Sequence, residues 1–344
     1  MKSIHLDNLN NRTQQFARNI QLEELLKELS SLLGPVDEQV SAQFERPKWP
    51  PLFLVGSPRS GTTFVMQLLN ATGQFAVPTN LLSRFYYAPY LGAKIQQLLT
   101  DKNFDYNNEM GDFASKGEFH SSLGKTTNAL SPSEFTYFWR RFIPNYDPQY
   151  LSPLEEEQID GRGLASGFAA VEAVLQRPLA TKAFIIQYNL PKLYELFKNC
   201  IFVQVRRNSL YVMQSIYEAR KSFYNTLDIW WSVKPKEFPE LQHLDVYKQI
   251  AGQIFYTERA LADGLSQVPE QSRLVVEYEE ICENPSDFYR KLKDKYKEND
   301  YELPDDVKLP NAFSPSNKIR ISEAEIQKLT VAYESFANTE ANIK

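Results

Sequence analysis

Cysteine is nearly absent: Cys200 and Cys282 are the two in 344 residues. They set up no disulfide framework and no zinc spacing. Histidine is almost as scarce, and His5, His120 and His243 are too few and too scattered for a histidine-based metal site. No stretch nears the roughly 18–20 apolar residues of a membrane span. Residues 1–12 are polar and hold no apolar signal core. An excess of basic charge is also missing. Lysine and arginine number 38 against 43 aspartates and glutamates, for a formal net charge of −5. A dominant nucleic-acid role needs a basic face and is not expected, although a local basic pocket fits this balance. These absences point to a reduced, cytoplasmic protein with no metal, no nucleic-acid partner and no transmembrane segment. Oligomeric state is not legible.

What is present is ordinary for a globular chain: 42% hydrophobic and 24% charged residues, at a length that buries a sizeable core unaided. A single domain over residues 1–344 is expected, with a helical extension at 1–48. In that extension Leu22, Leu25, Leu26, Leu29, Leu32 and Leu33 recur at helical spacing, and Gly34-Pro35 is expected to end the helix. Its face packs on the main body or meets a partner.

Residues 51–55 read as a strand, a glycine turn follows, and 62–69 read as a helix. That order opens a parallel α/β sheet. Further strands are expected at 183–186, 201–205 and 274–276. Helices are expected from Pro191, over 209–224, over 246–265, and from Asn284 as N-cap with Pro285 in the first turn. Residues 80–179 fit this rhythm poorly. They are rich in aromatics and either shape a substrate pocket or only add packing. Residues 303–316 carry three prolines and read as a loop.

The sharpest local signal is Gly56-Ser57-Pro58-Arg59-Ser60-Gly61-Thr62-Thr63-Phe64, placed between strand and helix. Glycines let backbone N–H groups approach an anion closely. The helix start adds free N–H donors and the positive end of a dipole. Ser57, Ser60, Thr62 and Thr63 supply hydroxyls, and Arg59 a permanent charge with a forked donor set. The ligand these features suit is a phosphate or sulfate group. The Gly56-x-x-x-x-Gly61 spacing matches an ATP-binding P-loop, but lysine should come next and Thr62 stands there.

This stretch resembles the 5′-phosphosulfate loop of sulfotransferases that use 3′-phosphoadenosine 5′-phosphosulfate (PAPS), in the form Pro-Lys/Arg-Ser-Gly-Thr-Thr/Ser followed by an aromatic or aliphatic residue. Arginine at 59, where many cytosolic members have lysine, leans towards the bacterial-type and carbohydrate-type branches. A second motif agrees. The strand at 201–205 runs into Arg206-Arg207, and Ser215 follows eight residues after Arg207, in the register of the family's 3′-phosphate motif. Arg206 fits that register less well and is read as a salt-bridge or substrate contact. A third piece, Tyr278-Glu279-Glu280-Ile281 before Asn284-Pro285, carries over a nucleotide contact to Tyr278. The family's late Arg-Lys-Gly loop has only Ser316-Asn317-Lys318-Ile319-Arg320 as a counterpart.

The resemblance implies a P-loop-type three-layer sandwich, with a central parallel sheet flanked by helices and a helical and loop insert. It implies PAPS as co-substrate, PAP as product, no metal, and sulfuryl transfer in line to a hydroxyl or amine. The acceptor is left open among small molecules, carbohydrates, lipids and peptide tyrosine. Arg59 would face the leaving phosphate, with Ser57, Pro58, Ser60, Gly61, Thr62, Thr63, Phe64, Arg207, Ser215 and Tyr278 holding the nucleotide. A kinase or NTPase of P-loop type, and a non-catalytic nucleotide-binding protein, are the alternatives.

The transfer also needs a general base. Many cytosolic members place a histidine where Asn189 stands here, and asparagine cannot serve. Glu118 and His120 share one side of an extended loop and are either a base with its orienting partner or an exposed pair. Glu134 is a third candidate, although Ser131-Pro132-Ser133-Glu134 also reads as a helix capping box. Trp230, Trp231, Phe85, Tyr86, Tyr87 and Phe138 are core residues or stack on an acceptor ring.

Overall fold

The structure, a computed structural model, describes residues 11–105, 107, 109, 119 and 121–341. Its strands are β1 (Leu52–Val55), β2 (Ser121–Ser122), β3 (Lys125–Thr126), β4 (Ala180–Lys182), β5 (Ile201–Arg206) and β6 (Arg273–Glu277). Four of them form one parallel sheet in the order β4-β1-β5-β6, and β2 and β3 form a separate hairpin. The longer helices are α1 (Ile20–Ser41), α2 (Thr62–Thr72), α3 (Pro89–Thr100), α4 (Gly161–Leu175), α5 (Leu190–Phe197), α6 (Ser209–Tyr224), α7 (Val246–Ser266), α8 (Tyr278–Glu283, a short one), α9 (Pro285–Glu298) and α10 (Glu323–Ala341).

Side chains alternate along a strand, so each strand feeds both faces of the sheet. Phe53, Val55 and Phe202 pack into one apolar cluster with residues of α4, α5 and α7. Leu52, Leu54, Ile201, Val203 and Val205 pack into the other with residues of α2, α8 and α9. Both faces are therefore covered, as a parallel sheet requires, and the layers are helix, sheet, helix. This is the α/β sandwich expected from the sequence. Among the described residues no helix is long and apolar enough to cross a membrane.

The topology positions the site. From β1 the chain goes to one neighbour, β4, and then crosses back past β1 to the other neighbour, β5. Connections leaving in opposite directions open a crevice at the carboxyl ends of β1 and β5. Val55 lies beside Gln204 in the ladder, so the loops after these two strands start side by side.

Three expectations need correction. Helix α1 does not stop at Gly34-Pro35 but runs through both to Ser41. Packing overrides the breaker: Gly34, Asp37 and Ser41 are the buried residues of α1, and Asp37 accepts from Leu91 N (2.8 Å) and Ser41 Oγ (3.1 Å). The leucine stripe is covered only in part: Leu25 and Leu32 are more than half exposed, while Leu22, Leu26, Leu29 and Leu33 are half-buried.

The strand expected at 183–186 lies three residues earlier, at Ala180–Lys182. Ala183 N makes the last ladder contact, to Leu54 O (2.9 Å), and the chain then turns, with Ile186 N on Ala183 O (3.0 Å). Beyond that point β1 has ended and offers nothing to pair with.

No helix begins at Pro132. The single turn there is Thr136–Trp139, and Phe135 before it is left-handed (φ 55°), so Glu134 caps nothing. Capping boxes form elsewhere, as at Ser152 with Glu155.

Candidate active site

Two glycines shape the loop after β1. A Cβ on Gly56 would sit 2.6 Å from Val205 O of β5, and one on Gly61 (φ 104°) would sit 2.4 Å from the Tyr278 ring. Both positions require glycine for a close approach. Gly61 stands at the N-cap of α2, and no side chain caps that helix. An uncapped start leaves N–H donors free for an anion. The hydroxyls of Ser57 and Ser60 are buried and have no hydrogen-bond partner among the described residues, a condition that a buried polar atom rarely keeps without a ligand or water.

Arg59 takes a left-handed backbone (φ 72°) and turns its side chain towards β5 and α6. Its Nε donates to Ser215 Oγ at 2.9 Å, while Arg207 Nη1 donates to the carbonyl of Arg59 at 3.0 Å. Burial, then the nearby charges of Arg207 and Arg320, pull the Arg59 guanidinium down to about 10. It stays charged at neutral pH, in a setting that favours an incoming anion. Burial also lowers Arg207.

The late loop reaches this point despite lacking the Arg-Lys-Gly pattern. Arg207 Nη2 donates to Ser316 O (2.8 Å) and Asn317 Oδ1 (2.8 Å). The Tyr278 hydroxyl lies 3.3 Å from Ser316 Oγ and accepts from Ser316 N at 3.2 Å. Its ring packs 4.8 Å from the Arg207 guanidinium. Arg206 points away, half-exposed, towards Glu277 (3.6 Å).

A group that the sequence did not single out completes the site. Lys182 ends β4 and is buried. Its Nζ donates to Thr63 Oγ1 (2.7 Å) and Glu134 Oε1 (3.0 Å). A lone lysine after an alanine-threonine pair gives no local signal; only its strand's place beside β1 brings it here. Glu134, freed from any cap, faces the same spot. One point, a Cβ position on Gly124 of the β2–β3 turn, lies 3.6 Å from Thr63 Oγ1, 3.8 Å from Glu134 Oε1 and 3.9 Å from Arg59 Nη1. Burial pushes the Glu134 carboxyl up, but the charge of Lys182 and its hydrogen bond, with Lys125 and Arg59, outweigh it. The group therefore titrates below its ordinary range and is a carboxylate at neutral pH.

Arg59, Thr63, Glu134, Lys182, Arg207 and Tyr278 all border one cavity of about 1660 Å³. Glu118 and His120 lie outside the described residues. Phe119 between them packs against Phe313 (4.8 Å) and Phe64 (6.2 Å). Asn189 is bound up in structure: it exchanges hydrogen bonds with the Leu151 backbone (3.0 and 2.9 Å). Trp230 and Trp231 are half-buried and line the cavity, as insert residues 121–125 do. Phe138 is core, stacked on Phe135. Phe85, Tyr86 and Tyr87 do not border the cavity, and Tyr87 lies under Arg141 (4.8 Å).

A glycine loop and bare helix start at the switch point of a parallel sheet, ringed by arginine, lysine and hydroxyls, mark an α/β protein with a candidate anion cradle. The family model for the sulfotransferase family matches residues 50–302, and the chain belongs to that family. No curated protein sequence matches it.

Among solved structures it is similar to the sulfotransferase STF9 of Mycobacterium avium. The identity is 16% over 73% of this chain and 64% of that one, with a TM-score of 0.49. The chain thus spans just under two thirds of that enzyme's length. It is also similar to the sulfotransferase STF1 of Mycobacterium tuberculosis H37Rv (12% identity, 83% and 73% covered, TM-score 0.47). A sulfotransferase from Alicyclobacillus acidocaldarius gives 13% identity, 83% and 92% covered, and a TM-score of 0.37.

Proposed function

We propose that this chain transfers a sulfuryl group from PAPS to an acceptor hydroxyl, with Glu134 as the general base. The observation that carries the proposal is the meeting of Arg59, Thr63, Lys182 and Glu134 at the mouth of the uncapped loop. The residues fit such a donor. Unpartnered Ser57 and Ser60 hydroxyls and the bare start of α2 suit its sulfated end, and Arg207, Ser215 and Tyr278 suit its ribose phosphate. When bound, PAPS supplies an activated sulfuryl group on a bisphosphate leaving group.

The chain's own residues then have separable tasks. The loop N–H groups and Arg59 neutralise charge that grows on the leaving phosphate, a preorganised electrostatic effect. Lys182 holds Glu134 and Thr63 in place through its two hydrogen bonds. Glu134, ionised, takes the proton of an acceptor hydroxyl placed beside it. Arg59 is not suited to that step, because a guanidinium hardly deprotonates. Residues 80–179 supply Glu134 and the hairpin over the cradle, and we assign that insert to the acceptor side of the cavity.

Thermal unfolding tests the donor. Adenosine 3′,5′-bisphosphate (PAP) without Mg²⁺ should raise the melting temperature, and label from sulfur-labelled PAPS should reach an acceptor in a screen of hydroxyl compounds. A shift with Mg-ATP and none with PAP would overturn the proposal in favour of a P-loop kinase.

A further inference from the structure

The cavity is larger than one ligand needs. Pockets for a single drug-sized molecule run to roughly 300–1,000 Å³, and this one is about 1660 Å³. Beyond the donor cradle its lining takes in Phe223 and Tyr224 at the end of α6 and Arg12 and Phe16 of the N-terminal segment, and this far end forms a second chamber.

The N-terminal segment forms a wall of this second chamber. Thr13 pins it, with its N donating to Phe223 O (2.8 Å) and its Oγ1 to Ser222 O (2.8 Å). Phe16 stacks on Phe223 at 3.8 Å, and Phe223 lies 5.7 Å from Trp231. Arg140, also in the lining, lies over the Tyr146 ring (3.5 Å) and near the Tyr137 ring (5.2 Å).

Charge is the telling feature. Among the described residues, eight cationic side chains and three carboxylates border the whole cavity, in a chain of net charge −5. In the second chamber Arg18 pairs with Glu23 (2.8 Å) and Lys234 with Asp147 (2.8 Å). Arg12 and Arg140 have no carboxylate partner among the described residues. Among the described residues Arg140 Nε donates to the carbonyl of Tyr146 (2.7 Å), and Arg12 Nε is buried without a partner. A buried guanidinium nitrogen without an acceptor is costly, and neither arginine has a carboxylate counter-ion among the described residues. Here they border a cavity whose lining also holds several aromatic residues, Gln15 and Gln149. An alkyl chain would strand those arginines and amides. A neutral ring would leave the arginines uncompensated.

We infer that the second chamber receives an acceptor that already carries an anionic group, a carboxylate, phosphate or sulfate on a ring-bearing body such as an acidic saccharide. Arg12 and Arg140 hold the anion and the aromatic faces hold the rings. This gives Arg12 and Arg140, which both border the cavity, a counter-ion. It also makes the N-terminal segment part of the substrate site. The inference rests on the proposed sulfotransferase activity for the word acceptor, but the subsite itself does not.

Matched probes test it on the full chain with PAP present, read by quenching of tryptophan fluorescence. The probes are 4-nitrophenyl β-glucuronide against 4-nitrophenyl β-glucoside, and 4-nitrophenyl N-acetyl-β-glucosaminide 6-sulfate against its unsulfated parent. The anionic member of at least one pair should bind about tenfold more tightly, the scale of a charge-assisted hydrogen bond. Which pair discriminates identifies a carboxylate or a sulfate reader. Arg12→Ala and Arg140→Gln should each shrink the ratio, and the double variant should bring it close to one, with the melting temperature checked for each. Equal binding within both pairs, or a preference that survives in the double variant, overturns the inference. PAP affinity is measured in the same samples. If PAP binds and no preference appears, the subsite falls alone; if the preference appears without PAP binding, the donor assignment falls and the subsite stands.

Discussion

Arg59 and Ser215, 156 residues apart in the chain, share a 2.9 Å hydrogen bond from the guanidinium Nε to the hydroxyl. The two motifs that resemble opposite ends of a nucleotide site therefore touch each other directly. Adjacent strands account for this: Arg59 follows β1, Ser215 stands on the helix after β5, and β1 pairs with β5.

The first prediction concerns Arg59 itself. In Arg59→Ala, kcat should drop about 10²–10³-fold, the usual loss when one preorganised charge at a developing anion is removed. PAP affinity should change much less. Steady-state rates beside calorimetric titration with PAP would show this, and a variant that loses affinity and keeps its rate would refute the role.

Arg207 should behave in the opposite way. Arg207→Ala removes a charged donor set from the proposed ribose end, and PAP should bind about 10–100-fold more weakly. Arg207 also ties the late loop to Arg59, so the melting temperature without ligand should fall as well. Unchanged PAP affinity would remove Arg207 from the site.

Glu134→Gln should lower kcat by about 10²–10⁴-fold, the range for loss of a general base, with little effect on PAP binding. The sign of the pH dependence follows from Lys182. Because the carboxyl titrates below its ordinary range, it is ionised throughout neutral pH. The rate should hold steady as pH falls until it passes below the usual carboxylate range, and only then decline. That acid limb should be missing from the residual activity of the variant. An intact rate in Glu134→Gln would hand the base back to Glu118 or His120.

A stability prediction rests on Glu172 of α4. Its carboxylate accepts from Lys48 N at 2.5 Å and Trp49 N at 3.4 Å, bracing the linker before β1. Burial raises it to about 7, against the two backbone donors and Lys48, which lower it. The native state thus holds this proton more tightly than the unfolded chain. The group's effect is most favourable below its ordinary value of 4.5, weakens as pH climbs towards about 7, and levels off above. The whole span amounts to at most about 3 kcal/mol. Denaturant unfolding of the wild type and of Glu172→Gln, at about pH 5 and pH 8, should show the wild type losing ground to the variant at the higher pH. A constant difference would contradict it.

Much of the sheet and the cradle was legible because their signals are local. Residues 51–64 and 201–215 carry apolar runs, glycine turns and helix starts within a few positions of one another, and the fold sets these two stretches side by side. The rest depends on distant packing. Lys182 looks like a stray charge until its strand is laid beside β1. Glu134 carries a capping pattern that its backbone does not follow, because Phe135 turns left-handed. Pro35 should end α1, yet burial of Gly34, Asp37 and Ser41 carries the helix past it. Thr13 and Phe16 give no hint that they wall a chamber until α6 is in place to receive them.

The carbonyl of Arg59 is held by the guanidinium of Arg207. A bisphosphate that drew Arg207 towards itself would loosen its hold on the turn that carries the other arginine. On the proposed donor assignment, the grip at either end is then one linked apparatus. A nucleotide lacking its 3′-phosphate should therefore lose more than the contacts of that phosphate, since the cradle at the far end would no longer be adjusted by its presence.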